Sequence, residues 1–134
     1  MSRTANELTS GEREFLALPR TATLTTLRPD GTPHVAPVRF TYDASTRLAR
    51  VTTRAGARKS RNMAARGAGA PVALCQADGF RWITLEGRAE VSDDPVRLAA
   101  AVSRYTARYG AAPPTPPDLV VVEITVDRVL SPGL

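Results

Sequence analysis

Six segments of this chain have the composition and alternation of β-strands, and short turn-forming stretches separate most of them. Connections such as residues 28–32 and 77–79 carry the glycine, proline or aspartate of tight turns and favour antiparallel hairpins. Strands and helices do not alternate regularly, which argues against a parallel α/β sheet. The pattern therefore predicts a mainly β fold with flanking helices, in which a six-stranded antiparallel sheet curls into a barrel. The predicted strands are residues 21–27, 33–42, 48–53, 70–76, 80–91 and 119–130.

Three helices are predicted before and between these strands. Thr9 and Glu12 have the spacing of a capping box, and residues 56–66 have helix-forming residues at their centre. Pro95 follows good cap residues at the start of a third segment, which ends at Gly110.

Two residues predict irregularities within the strands. Pro37 has no N–H to donate, so its strand is expected to be irregular or to lie at an edge there. Gly87, inside the long fifth strand, predicts a bulge or a close approach of two backbones.

The size of the chain, 134 residues, is that of one domain with a core of its own, and residues 1–6 are expected to form a disordered tail. Cys75 is the one cysteine, so no internal disulfide can form. The first residues lack the apolar core of a signal peptide, and no apolar run approaches the roughly 20 residues that span a bilayer. We therefore expect a cytoplasmic protein with no membrane partner.

The basic residues are unusual, because only Lys59 among 18 of them is a lysine and the net charge is +5. An arginine bias of this kind has two readings: genome composition, or an anionic ligand whose carboxylate or phosphate fits the arginine fork. Nucleic acid is a third and weaker candidate, because the basic residues are spread along the chain and few aromatics are available to stack on bases.

Familiar catalytic constellations are missing from the sequence. One histidine, His34, and one cysteine cannot form a metal site of the usual spacing, and we expect no metal. No nucleophile elbow, P-loop or dinucleotide-binding glycine motif is present.

The most suggestive segment is residues 51–62, a strand end followed by a glycine-containing turn and a helix start. A helix N-terminus offers free N–H groups and favours an anion, and hydroxyls of Thr52 and Thr53 with charges of Arg58 and Lys59 would complete a phosphate cradle. The alternative is a solvated basic helix face, and the residues alone leave both open.

Three stretches, residues 24–35, 57–62 and 82–89, resemble the pyridoxamine-phosphate-oxidase-like split-barrel superfamily. Within it the chain is most similar to the deazaflavin-dependent branch, the flavin/deazaflavin oxidoreductases B, and there to the biliverdin reductases. The resemblance extends through residues 104–109 to residues 128–130 and covers nearly everything after Leu16.

The resemblance implies a split β-barrel homodimer with two sites for coenzyme F420 at the subunit interface. Lys59 and Asn62 match the Lys-x-x-Asn motif of the phosphate pocket, and Ala57 stands where some relatives carry a further arginine. The coenzyme-binding residues it implies are Lys59, Arg58, Asn62, Thr52 and Thr53 at the phosphate, and Ala36, Pro37, Val38 and Trp82 at the ring.

The resemblance also implies the chemistry, in which a reduced deazaflavin donates a hydride to biliverdin or a similar conjugated molecule. Arg39, Arg54 and Arg81 are candidates for binding substrate carboxylates, and Arg81 is also a candidate for a catalytic role. Two alternatives stay open: an FMN-dependent oxidase or reductase on the same scaffold, and a non-enzymatic coenzyme or haem binder.

Overall fold

The computed structural model describes residues 2–134, excluding the side chains of residues 2 and 6. The chain is mainly β, as predicted, with eight strands and three α-helices in the described residues. The order is β1 (Ser2–Thr4), a 3-10 turn (Ala5–Glu7), α1 (Ser10–Ala17), β2 (Ala22–Leu27), β3 (Pro33–Val38), β4 (Thr41–Asp43), β5 (Leu48–Arg54), α2 (Arg58–Ala65), β6 (Ala70–Asp78), β7 (Arg81–Ser92), α3 (Pro95–Tyr109) and β8 (Leu119–Leu130).

The sheet is antiparallel throughout, and its two edges are brought together by the chain itself. Its strand order is β3-β2-β6-β7-β8-β5-β4, with β1 added to β8. The edge strands β3 and β4 are consecutive in sequence, with only Arg39 and Phe40 between them. The three Cα–Cα steps from Val38 to Thr41 span at most about 11 Å, so the sheet curls until the end of one edge strand lies near the start of the other. This closure gives the split barrel that was expected.

The structure has two strands more than the six predicted. Residues 33–42 form β3 and β4 rather than one strand, because Phe40 leaves the ladder. Its N–H donates to the Tyr109 hydroxyl over 3.0 Å, and that hydroxyl donates to the Phe40 carbonyl over 2.9 Å. The expected disordered tail also differs, since Ser2–Thr4 pairs with the end of β8 as β1; residue 1 lies outside the described residues.

Glu12 ties the N-terminal strand to α1. The Thr9–Glu12 capping box forms as predicted. The Glu12 side chain is fully buried, and its carboxylate accepts hydrogen bonds from the Arg3 guanidinium, from Thr9 N–H (2.9 Å) and from Ser131 Oγ (2.7 Å). Burial opposes ionisation of this carboxyl, but the bonds from Arg3, Thr9 and Ser131 outweigh it, and the pKa of Glu12 is lowered.

Gly87 lies where the prediction of a bulge or close approach is confirmed. The β7–β8 register shifts between Glu86 and Gly87, and a Cβ added at Gly87 would lie 2.1 Å from the carbonyl oxygen of Thr125. A side chain at this position would collide with the backbone of the next strand.

The third helix, α3, covers one outer face of the barrel. Asp94 caps it, Pro95 opens it and Gly110 ends it with a left-handed backbone, as predicted. It buries Ala101 and Tyr105, and Arg97 in its first turn binds Glu123 of β8 over 2.5 Å. None of the helices in the described residues is both long enough and apolar enough to cross a membrane.

Candidate functional site

The turn that leads into α2 is fixed by Asp118, the residue before β8. Asp118 accepts hydrogen bonds from Arg54 Nε (3.1 Å) and Gly56 N–H (3.2 Å) at its carboxylate and from Ala55 N–H (2.9 Å) at its carbonyl. The hydrogen bond from Gly56 N–H lowers the pKa of Asp118, and the Arg54 guanidinium lowers it further, while burial acts in the opposite direction. The Asp118 carboxylate is therefore ionised at neutral pH. Ser60, buried in α2, donates to the Arg54 carbonyl over 2.6 Å and closes the turn from the other side.

The N-terminus of α2 has no side-chain cap. Ala57 occupies the cap position and can offer no acceptor, so the first N–H groups of the helix stay available to an anion. Lys59 follows two residues later. Its pKa is lowered by burial, and it has no ion pair in the described part of the chain. An anion bound at this helix start would stabilise a half-buried ammonium that has no counter-ion in the described residues.

A cavity of about 550 Å³ opens where β5 enters this turn. Thr52, Thr53 and Arg54 form one wall, and Leu119 with the proline-rich connector forms the other. The connector residues that line the cavity are Pro114, Thr115 and Pro116. Three of the predicted residues, Thr52, Thr53 and Arg54, line this cavity, and two others, Arg58 and Lys59, lie in the first turn of α2, the helix that follows.

Asn62 is placed in the interior rather than at the surface of the cradle. It is 2% exposed, its Nδ2 donates to Thr26 Oγ1 over 3.0 Å, and its Oδ1 has no partner within the described residues. Thr26 pairs in register with His34, whose Nδ1 is also buried without a partner there. Asn62 thus fastens α2 to β2.

Three of the four predicted ring-binding residues, Ala36, Pro37 and Val38, lie along β3, which is an edge strand. Ala36 pairs with Leu24 and Val38 pairs with Ala22, so both side chains follow the inner face of the barrel, and Val38 is buried. Pro37 pairs with Thr23 on the outer face and is exposed. The missing N–H of Pro37 is tolerated because β3 has a strand on one side only.

The other predicted residues contact elements remote from the α2 cradle. Arg39 donates to the Tyr105 hydroxyl over 2.9 Å and lies 5.0 Å from the ring of Tyr109, both on α3. Arg81 binds Asp78 over 3.3 Å and lies 5.0 Å from the ring of Phe15 in α1.

Trp82 pairs with Ala77 and is half-buried on the outer face of β7.

Two residues that position the cradle were missed by sequence reasoning, Asp118 and Thr26. Asp118 lies 64 residues from Arg54, and Thr26 lies 36 from Asn62. The one local signal was the aspartate directly after the proline-rich connector, a residue type that often accepts from turn N–H groups.

Residues 8–131 match the protein family described as pyridoxamine 5'-phosphate oxidase. The chain belongs to this family. It is 42% identical over 130 residues to the F420H(2)-dependent biliverdin reductase of Mycobacterium tuberculosis, a match that covers 97% of this chain and 92% of the relative. Among solved structures, a protein named F420 reductase is 27% identical with a TM-score of 0.71, covering 92% of this chain and 98% of that one.

Other solved structures share the fold of this family at lower identity. The haem storage protein HutZ of Vibrio cholerae is 16% identical with a TM-score of 0.74, covering 92% of this chain and 94% of that one. At this identity the likeness shows the fold alone, and the function follows from the residues of the site.

Proposed function

We propose that this protein is a coenzyme F420-dependent reductase that reduces biliverdin or a similar conjugated small molecule. The observation that carries the proposal is the uncapped start of α2, where Lys59 is half-buried without a counter-ion among the described residues. A cavity lined by Thr52 and Thr53 lies at the end of the preceding strand. The 42% identity to a reductase of that name supports the choice of coenzyme and substrate class.

The residues of the cradle fit a phosphate-bearing coenzyme. Lys59 and Arg58 supply positive charge, Thr52 and Thr53 supply hydroxyls, and the first N–H groups of α2 supply backbone donors. When bound, the reduced deazaflavin supplies a hydride to the substrate. No protein nucleophile is needed, which agrees with the absence of catalytic motifs in the sequence.

The protein's own contribution is binding, orientation and exclusion of water. Asp118 and Ser60 fix the turn before α2, and Asn62 fixes the helix against β2, so the charged groups are held in place before the coenzyme arrives. Pro114, Pro116 and Leu119 give the cavity a stiff apolar wall that keeps water from the bound coenzyme.

A homodimer is part of this proposal, because apolar side chains are exposed on the outer face of β3 and in the turn before β7, away from the strands that α3 covers. Val35 on β3 is 58% exposed and Phe80, just before β7, is fully exposed. Thr25 and Ala73 share that face with Val35 by register. A second copy on this face would bury these side chains and bring the partner's counterparts of Arg81 and Trp82 toward the cradle.

Arg54 is the substrate-binding candidate that the cradle supports best, because it lines the cavity while Asp118 holds its guanidinium. Arg39 and Arg81 stay candidates through the dimer. A cytoplasmic location also stays part of the proposal, as does the absence of a nucleic-acid partner.

FMN is the alternative coenzyme, because it too carries a phosphate and the matched family is that of an oxidase. Fluorescence titration of the purified protein with F420 and with FMN decides between them. We expect tighter binding of F420, followed by turnover of biliverdin with the reduced coenzyme. Tighter binding of FMN would move the function to flavin chemistry, and binding of neither would refute an enzyme of this class.

A matched pair of variants locates the site. Lys59→Ala is expected to weaken F420 binding by roughly tenfold or more, since a charge-assisted contact to phosphate is lost. Arg61→Ala removes an exposed charge of the same helix and serves as the control. Equal affinities of the two variants would remove Lys59 from the site.

A further inference from the structure

The one histidine of the chain, His34, lies on the edge strand β3, and its register partner on β2 is Thr26. Burial alternates along β2, so that Ala22, Leu24 and Thr26 face the core of the barrel. Residues paired across an antiparallel ladder point to the same face, with their Cβ atoms about 5 Å apart. The His34 side chain therefore lies beside that of Thr26 on the inner face of the sheet.

Two polar atoms next to Thr26 have no hydrogen-bond partner in the described chain. One is Nδ1 of His34, and the other is Oδ1 of Asn62, whose side chain is almost completely buried. The Nδ2 of Asn62 already donates to Thr26 Oγ1 over 3.0 Å, so the carbonyl end of the same amide lies close to this hydroxyl. Buried polar atoms are normally hydrogen-bonded, and two unpartnered atoms flanking one hydroxyl call for a shared partner.

The hydrogen-bond donors and acceptors of this group balance in one way while the Asn62 amide keeps its orientation. Thr26 has a single hydroxyl proton, which can satisfy at most one of the two unpartnered atoms. If His34 Nδ1 carried no proton, it would be a second acceptor beside Asn62 Oδ1, and the pair would need two donors. With the proton on Nδ1, one N–H···O bond from His34 to Asn62 satisfies both atoms.

The charged groups of the neighbouring β2–β3 turn do not bond to His34. The Arg28 guanidinium donates to the Pro33 carbonyl over 2.6 Å, and the Asp30 carboxylate accepts from the Thr32 hydroxyl over 2.7 Å. Within the described chain, the amide on α2 is therefore the acceptor left for the imidazole.

We propose that His34 is a positioning residue, which donates its Nδ1 proton to Asn62 Oδ1 and so joins the edge strand β3 to α2. Together with the bond from Asn62 to Thr26, this bond ties two strands of the barrel to the helix that carries Lys59. It holds the first turn of α2 in place before an anion binds there. The effect on the coenzyme rests on the proposed function, whereas the bond itself does not.

Nitrogen NMR of the coenzyme-free protein tests the bond, and a single histidine leaves no ambiguity of assignment in protein without a histidine tag. Two-bond ¹H–¹⁵N correlations of the imidazole distinguish a protonated ring nitrogen from a bare one. At a pH where the ring is neutral, we expect a protonated Nδ1 and a bare Nε2, and Asn62→Ala should abolish this preference. A proton found on Nε2, or a preference unchanged in Asn62→Ala, would overturn the proposal.

Two variants at residue 34 separate the hydrogen bond from the volume of the ring. His34→Asn keeps a donor near the place of Nδ1, and His34→Leu keeps a side chain of similar size without a donor. We expect His34→Leu to displace the amide signals of α2 and to weaken F420 binding several-fold, and His34→Asn to stay within about twofold of the parent.

Equal affinities and equal α2 signals in the two variants would contradict the positioning role. Failure of the parent protein to bind F420 would instead refute the proposed function. In that case the imidazole spectra of the parent and the α2 signals of the variants still decide whether His34 holds the helix.

Discussion

Asn62 donates from α2 to Thr26 Oγ1 across 3.0 Å, and both side chains are almost completely buried. This one bond joins the helix that carries Lys59 to the strand that pairs with β3. It couples the position of the phosphate cradle to the strand expected to lie along the coenzyme ring.

Removing the Asn62 amide is expected to loosen α2 and to weaken coenzyme binding together. For Asn62→Ala we expect a loss of about 1–3 kcal/mol of unfolding free energy, because a buried hydrogen bond and its packing are lost. Urea denaturation measures the stability, and F420 titration measures the affinity. Thr26→Val and the double variant complete a cycle; additive losses would show that the two side chains do not act on each other.

Lys59 is expected to lower the stability of the coenzyme-free protein and to strengthen the binding of the coenzyme. Its pKa is lowered in the folded protein, so the unfolded state holds the proton more tightly. The free energy of unfolding therefore increases as the pH rises from the folded pKa of Lys59 to the ordinary lysine pKa. At neutral pH, Lys59 is charged in both states and its burial still costs stability. Lys59→Met should leave the coenzyme-free protein equally or more stable at pH 7 while weakening F420 binding.

Thermal unfolding of the parent and of Lys59→Met, with and without F420, tests both expectations. We expect F420 to raise the Tm of the parent protein, and the variant should lose most of that rise. A variant that is markedly less stable without coenzyme would mean that Lys59 already has a structural partner in the folded chain.

Glu12 is expected to account for much of the loss of unfolding free energy as the pH falls into the acidic range. Its pKa is lowered on folding, so its contribution is present above the ordinary glutamate pKa and is lost as pH falls through the folded value. Glu12→Gln should cost about 2–4 kcal/mol at pH 7, because Arg3 loses its anion and the buried site loses its charge-assisted bonds.

Urea denaturation between pH 3 and pH 7 tests the Glu12 prediction, with the exposed Glu14→Gln of the same helix as control. The stability of the Glu12 variant should depend less on pH than that of the parent. Identical slopes for the two variants would contradict the assignment.

Asp118 is expected to matter more for binding than its place outside the cradle suggests. Asp118→Ala frees the N–H of Gly56 and the Arg54 guanidinium, so the turn before α2 becomes less ordered. We expect several-fold weaker F420 binding with a loss of about 1 kcal/mol of stability. Asp127→Ala, which breaks an exposed pair with Arg88, is the control and should leave the affinity unchanged.

Sequence patterns predicted the local features and failed where a distant residue decided the structure. The capping box of Glu12, the bulge at Gly87 and the ends of α3 each depend on a few neighbouring residues, and each prediction is confirmed.

The break between β3 and β4 was not predicted, because it is made by Tyr109, 69 residues away. The interior position of Asn62 was hidden for the same reason, since a helical residue shows its burial only when its partner strand is known.

Tyr109 of α3 holds the chain at the junction of the edge strands β3 and β4. One phenolic hydroxyl both accepts from and donates to Phe40, so a side chain of α3 replaces the neighbouring strand at the point where the barrel is split. Local unfolding of the last turn of α3 would therefore also release the junction between the two edge strands of the sheet. A molecule that displaced that turn would therefore disturb the chain next to β3, the strand expected to border the coenzyme, through the Tyr109 hydroxyl.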